Sequence, residues 1–180
     1  MPLSGKGFEQ AYNAQAAVDV DTMIIVESHI TQSPNDKKEI LPALSALGAL
    51  PEELGKVTDL LADAGYYSDG NVSACEKEEI EPFIPPGREK HNQPLLDRFA
   101  KPERLAANAD SISKMRHKLK TDDGRELYAK RKSTVEPVFG IIKHVMRFRQ
   151  FLLRGFDAVT GEWTLVSMAW NIKRMFALKA

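Results

Sequence analysis

Cysteine is almost missing from this chain: Cys75 is the single one in 180 residues. A disulfide framework and a cysteine-based zinc site are both excluded, and a reducing cytosol is the default compartment. Long hydrophobic runs are missing too. The apolar stretches from Leu41 to Leu50 and from Trp163 to Trp170 are too short to span a bilayer, and the N-terminus has no signal-peptide pattern. The sequence therefore reads as a soluble, cytoplasmic protein. It has no internal repeat, no low-complexity tract, no Gly-rich phosphate loop and no His-x-x-x-His metal pair. The four histidines, His29, His91, His117 and His144, are scattered and read as incidental.

Ordinary globular character is what remains. Hydrophobic residues make up 43% and charged residues 28%, so a single domain with a real core is expected. Net charge is zero, yet residues 1–87 hold 5 Lys/Arg against 15 Asp/Glu and residues 88–180 hold 20 against 10. The halves thus carry −10 and +10. A basic half points to a polyanionic partner, nucleic acid being the commonest. The competing account is a self-neutralising fold whose halves face each other.

Along the chain, residues 1–9 read as a loose lead-in. Residues 11–20 and 22–31 read as two strands of an antiparallel hairpin turning near Asp19 to Thr22. Ser33-Pro34-Asn35-Asp36 reads as a helix start, with Ser33 as cap and Pro34 at the first helical position, and Pro42 is expected to bend that helix. VTDLLAD then reads as a buried strand ending at Asp63, the position where open α/β sheets place ligand groups. Ser68 is expected to cap a helix, and IEPFIPP reads as a strand closed by prolines. The order is ββαβαβ. Residues 87–124 read as a flexible polar excursion holding short helices, and residues 134–178 as C-terminal helices. In the last of these, Leu165, Met168, Ala169, Ile172, Met175 and Phe176 have the spacing of a core-packing face. Trp163 and Trp170 read as core and rim aromatics rather than base-stacking platforms.

The segment 128–143, YAKRKSTVEPVFGIIK, sets one acid, Glu136, among cations. On a helix running from 134 to 148, Glu136, Gly140, Lys143 and Arg147 fall near one line. Ser133-x-x-Glu136 also fits a capping box, in which Glu136 would only complement a helix N-terminus. Asp63 and Glu136 together offer hard oxygen ligands for Mg²⁺ or Mn²⁺. A metal pair on such ligands activates one oxygen and stabilises another in phosphoryl transfer. Lys143, Arg131 and Arg147 would position phosphates. Lys130, Lys132, Arg149 and Arg154 extend the candidate DNA-binding set.

ADAGYYS at 62–68, Y-x2-R at Tyr128 and Arg131, and E-x6-K at Glu136 and Lys143 resemble the motifs of the Asp-Asp-Glu transposases of bacterial insertion sequences. YNAQAAVD at 12–19, RFRQFLLRG at 147–155 and the E-x8-N of Glu162 and Asn171 resemble further blocks of that family. The resemblance implies an α/β, ribonuclease-H-like mixed sheet flanked by helices. It also implies a two-Mg²⁺ site on three carboxylates, and cleavage and transfer of DNA strands at transposon ends and target. Asp63 matches the second acid and Glu136 the third, while Tyr128, Arg131 and Lys143 match accessory residues. Four residues separate Arg131 from Glu136 where the commoner spacing has three, so Lys132 is the alternative holder of the arginine's role. No Asp precedes Asp19, and Met1 to Gly7 resemble an internal cut. The expectation is a truncated, nucleoid-associated domain, a candidate homodimer, lacking its first strand and first acid unless Asp19 or Asp21 substitutes. The alternatives are a catalytically inactive DNA-binding or regulatory remnant and a purely structural domain.

Overall fold

The computed structural model describes residues 11–87, 102, 104–106 and 108–179. The expected lead-in at 1–9 and much of the polar excursion lie outside the described residues. The chain divides into two compact units, one built from the residues up to Asn35 together with Lys132 onward, the other from Asp36–Arg131.

In the first unit, strands β1 (Asn13–Val18) and β2 (Ile25–Thr31) pair antiparallel, with Asn13 opposite Thr31 and Ala17 opposite Glu27. The turn forms where expected because Asp19 closes it locally. Its carboxylate accepts from the Asp21 N–H at 3.2 Å, and its backbone N–H donates to the Ile24 carbonyl at 2.9 Å. Such an Asx turn favours Asp on physical grounds.

A 24-residue helix, Phe156–Lys179, lies against this hairpin and is held by polar tips reaching strand and turn backbone. Trp163 Nε1 donates to the Gln15 carbonyl at 3.0 Å, and Trp170 Nε1 to that of Met23 at 2.8 Å. The Asn171 side chain takes both groups of Ile25, accepting from its N–H and donating to its carbonyl at 2.8 Å each. Both tryptophans are core residues, together with Val138, Ile142 and Val159. The expected core face of this helix is corrected. Leu165, Met168, Ile172, Met175 and Phe176 are all exposed, because the hydrogen bonds from Trp163, Trp170 and Asn171 turn the opposite side inward.

In the second unit, α1 (Ile40–Gly48), β3 (Asp59–Leu61), α2 (Asp69–Lys77) and β4 (Glu81–Phe83) follow in the expected order. β3 and β4 pair parallel, Leu60 opposite Pro82. Ser68 caps α2, its hydroxyl accepting from the Asn71 N–H at 3.1 Å. The start of α1 is corrected: Ser33 turns back on Asn35, Asp36–Lys38 form a single tight turn, and α1 begins only at Ile40. Pro42 consequently sits in the first helical turn, where its absent N–H removes no helix bond. Cys75 is fully buried, and that desolvation pushes its thiol up to about 11. It packs with Ile40, Leu44, Val72, Ile84 and Met115.

Helix α3 (Ser111–Lys120) is capped by Asp110, whose carboxylate accepts from the Ser113 N–H at 3.1 Å. Its Lys118 holds β4, with Nζ 2.7 Å from Glu81, 2.9 Å from the Pro82 carbonyl and 4.2 Å above the Phe83 ring. Helix α4 (Asp122–His144) follows at once, and the helix of the first unit, Phe156–Lys179, is α5. Gly124 is required at the α3–α4 joint, since a Cβ there would run into the Lys118 carbonyl oxygen.

Candidate functional site

Asp63 lies two residues beyond β3, where the strand gives way to a single 3-10 turn, Ala64–Tyr66. Its carboxylate caps that turn, accepting from the Ala64 N–H at 2.8 Å, and keeps 64% of its side chain exposed. The position at the C-terminal end of a parallel strand is the one read from the sequence.

The helix carrying the other candidates is longer than expected. α4 runs unbroken for 23 residues, so Ser133 and Thr134 are mid-helix and the capping-box reading of Glu136 is corrected. Nothing between Asp122 and Ser133 breaks a helix, and the start is marked instead by Thr121, whose hydroxyl accepts from the Gly124 N–H at 3.1 Å. Pro137 falls inside the helix. Thr134, Val138 and Ile142, spaced by four, form its buried stripe. That stripe sends Lys132, Glu136 and Lys143 to the exposed side.

On this helix the cations divide. Arg131 is largely buried, its Nη1 4.0 Å from Asp63 Oδ2 and its guanidinium 5.7 Å from the Tyr128 ring centre. Lys132, one turn before Glu136, shares the face of that acid, whereas Arg131 lies about 140° away around the axis. The fold therefore gives Arg131 to Asp63 and Lys132 to the face of Glu136. Lys143 is exposed, with its ammonium 5.9 Å from the Phe139 ring centre, and Lys130 is exposed as well.

Arg147 does not continue the line of Glu136, Gly140 and Lys143, because α4 ends at His144. It takes a left-handed backbone, φ 61°. Outside glycine that conformation costs about 1–2 kcal/mol. Arg147, Arg149 and Arg154 are exposed on the connection to α5. Glu162 on α5 holds this connection: its carboxylate accepts from the Leu152 N–H at 3.0 Å and the Leu153 N–H at 3.1 Å. Phe148 and Phe151 pack edge to face at 5.4 Å beneath it.

A family model for the transposase DDE domain matches residues 3–172. The chain belongs to this family. No curated protein and no solved structure matches it. Members of the DDE family generally use divalent metals, and they act on DNA. Among the described residues, no group of three or more His, Cys, Asp or Glu side chains converges as a metal site. Asp63 and Glu136 have the right donor chemistry, but two carboxylates do not complete a two-metal ligand set. Asp19 accepts from the Asp21 and Thr22 N–H groups of its own turn. No described helix is long and apolar enough to cross a membrane.

Two family-block residues, Glu162 and Asn171, prove to act on backbone: one holds the Arg-bearing connection, the other the edge of β2. Lys118 was not legible in the sequence. It is one of several lysines in a charged stretch, and only the packing of α3 against β4 distinguishes it.

Proposed function

We propose that the chain is the DNA-acting domain of a transposase in a ribonuclease-H-like fold, with metal-dependent strand cleavage and strand transfer as its chemistry. Asp63 serves as the second acid and Glu136 as the third. The observation that carries this reading is the approach of Arg131 to Asp63, which joins two motif blocks far apart in sequence. Among the described residues the strands form two separate two-stranded sheets, one antiparallel and one parallel, and the single mixed sheet belongs to the proposal alone.

The residues divide the work by chemistry. Arg131, 4.0 Å from Asp63, places a positive charge beside that carboxylate. Lys130, Lys132, Lys143, Arg147, Arg149 and Arg154 contact the sugar-phosphate backbone, where contacts fix register without reading sequence. A strained, exposed arginine at position 147 fits this role, since backbone strain at a surface residue signals a functional demand on its side chain. A divalent metal pair would supply activation of the attacking oxygen and stabilisation of the leaving one. In this reading Asp63 and Glu136 supply two of the three acids.

Two titrations test this reading. Mn²⁺ binding followed by calorimetry should be measurable in the wild type and abolished by Asp63→Asn and by Glu136→Gln. DNA affinity should fall steeply with salt in all three proteins. Mn²⁺ binding that survives both substitutions, or is absent from the start while salt-sensitive DNA binding persists, favours the non-catalytic DNA-binding remnant. Absence of DNA affinity even at low salt would leave only a structural domain.

A further inference from the structure

The connection between α4 and α5 leaves two aliphatic side chains in water, Leu152 at 76% exposure and Leu153 at 51%. They do not sit on a loose tip. The Glu162 carboxylate takes the backbone N–H groups of both, at 3.0 Å for Leu152 and 3.1 Å for Leu153. The aromatics just before them turn inward and anchor the stretch. Phe151 packs edge to face on Tyr12 at 6.3 Å and on Phe148 at 5.4 Å, and Phe148 stacks on Trp163 at 6.4 Å. Single exposed leucines are ordinary on a surface. An adjacent pair held outward by a clamp on its own backbone points to something that covers it.

Charge indicates what that is. From residue 137 to residue 156 the sequence has Lys143, Arg147, Arg149 and Arg154 and no Asp or Glu. The three arginines are exposed, and none of them forms an ion pair among the described residues. Leucines set between unneutralised arginines suit a partner that is anionic at its surface and apolar just beneath. A DNA duplex is built that way, with phosphates outside and stacked bases within. An anionic membrane shares the charge, but holding to it takes a helix-long apolar face, and residues 147–155 are not helical.

We propose that Leu152 and Leu153 form a wedge that enters a duplex from its minor groove and unstacks a base step, with Arg149 and Arg154 on neighbouring phosphates. Arginines favour a narrow minor groove, and apolar side chains placed there slip between base pairs and kink the duplex. The step opened most readily is pyrimidine–purine, TA above all. The inference rests on the reading of this chain as a DNA-acting domain. It adds a change in DNA shape, which phosphate contacts alone do not produce.

The test uses the intact chain at low salt and a duplex of alternating T and A in which 2-aminopurine replaces adenine at central TA steps. This base fluoresces weakly when stacked and brightly when unstacked. Binding of the wild type should raise its emission severalfold. Leu152→Ala and Leu153→Ala should each lose most of that rise and weaken affinity about tenfold, with an unchanged salt slope. Their melting temperatures should match the wild type, since both side chains are already in water. Leu152→Lys separates wedge from charge: it should keep or raise affinity, steepen the salt dependence and still lose the signal. DNA binding by the wild type without brighter emission overturns the wedge and leaves the DNA-acting reading standing, as do leucine variants that keep the full signal. Alanine variants that melt early overturn it too, by marking the leucines as internal contacts. A wild type that binds anionic lipid vesicles and no DNA even at low salt overturns the wedge and the DNA-acting reading together.

Discussion

Helices α4 and α5 both contribute to the core of the first unit, yet they hide different kinds of face. In α4, the buried stripe of Thr134, Val138 and Ile142 is largely what apolar periodicity marks. In α5, the clearest apolar stripe lies outside, while Trp163, Ser167 and Trp170 lie inside. Periodicity identifies a stripe without saying what covers it. In α5 the rotation is set by donors that need backbone acceptors. The indole N–H groups of Trp163 and Trp170 and the Asn171 amide find theirs on the hairpin, and Arg174 Nε adds a bond to the Thr22 carbonyl at 2.6 Å. Leaving such donors buried and unpaired costs more than exposing leucine and methionine.

The largest test of this contrast is Trp163→Ala. The residue is 3% exposed and stacks on Phe139 at 5.8 Å, so its loss should cost about 3–5 kcal/mol in a denaturant melt. Leu165→Ala on the other face of the same helix should change stability by less than about 0.5 kcal/mol. Asn171→Ala comes next. Losing both bonds to Ile25 should cost about 2 kcal/mol and speed amide exchange at the start of β2. A loss near zero would mean that packing alone orients α5.

Arg147→Gly sharpens the comparison at the connection between the two helices. Relief of the left-handed backbone should stabilise the protein by about 1 kcal/mol. In the same variant, DNA affinity should weaken and the slope of log affinity against log salt should shrink by about 1. A change in stability without a change in DNA binding would remove Arg147 from the interface.

The smallest effect concerns a helix end. The hydrogen bonds from Ser113 hold the Asp110 carboxyl below its usual range. A carboxylate whose folded pKa is lowered adds stability above its unfolded value, near 3.9, and loses it as pH falls through the lowered folded value. Asp110→Asn keeps an acceptor at the cap of α3, so it should flatten this part of the acid melting curve and leave neutral-pH stability nearly unchanged.

Local chemistry made part of the fold legible. Asp19 closes its own turn, Ser68 meets the N–H three residues on, and Asp63 ends a short apolar strand, each through contacts a few residues away. The start of α4 was misplaced by the same logic, because Ser133-x-x-Glu136 has a capping pattern that an uninterrupted helix from Asp122 leaves unused. The charge division of the sequence did not carry over into the compact units either. Residues 36–131 hold 16 Lys/Arg against 18 Asp/Glu, and the remainder holds 9 against 7. The units carry −2 and +2, where the sequence halves carry −10 and +10. The proposed DNA contacts accordingly draw on the local cations between Lys130 and Arg154 rather than on one basic half.

By itself the sequence determined the order of strands and helices, the turns and caps, and membership of the DDE family, since these depend on neighbours in the chain and on motif spacing. Tertiary structure alone decided that Arg131 rather than Lys132 meets Asp63, that Glu162 and Asn171 bind backbone, and that the apolar seam of α5 faces outward. The physical reason is the same in each case. Which side of a helix is buried depends on partners far away in sequence, and a period of 3.6 residues carries no information about them.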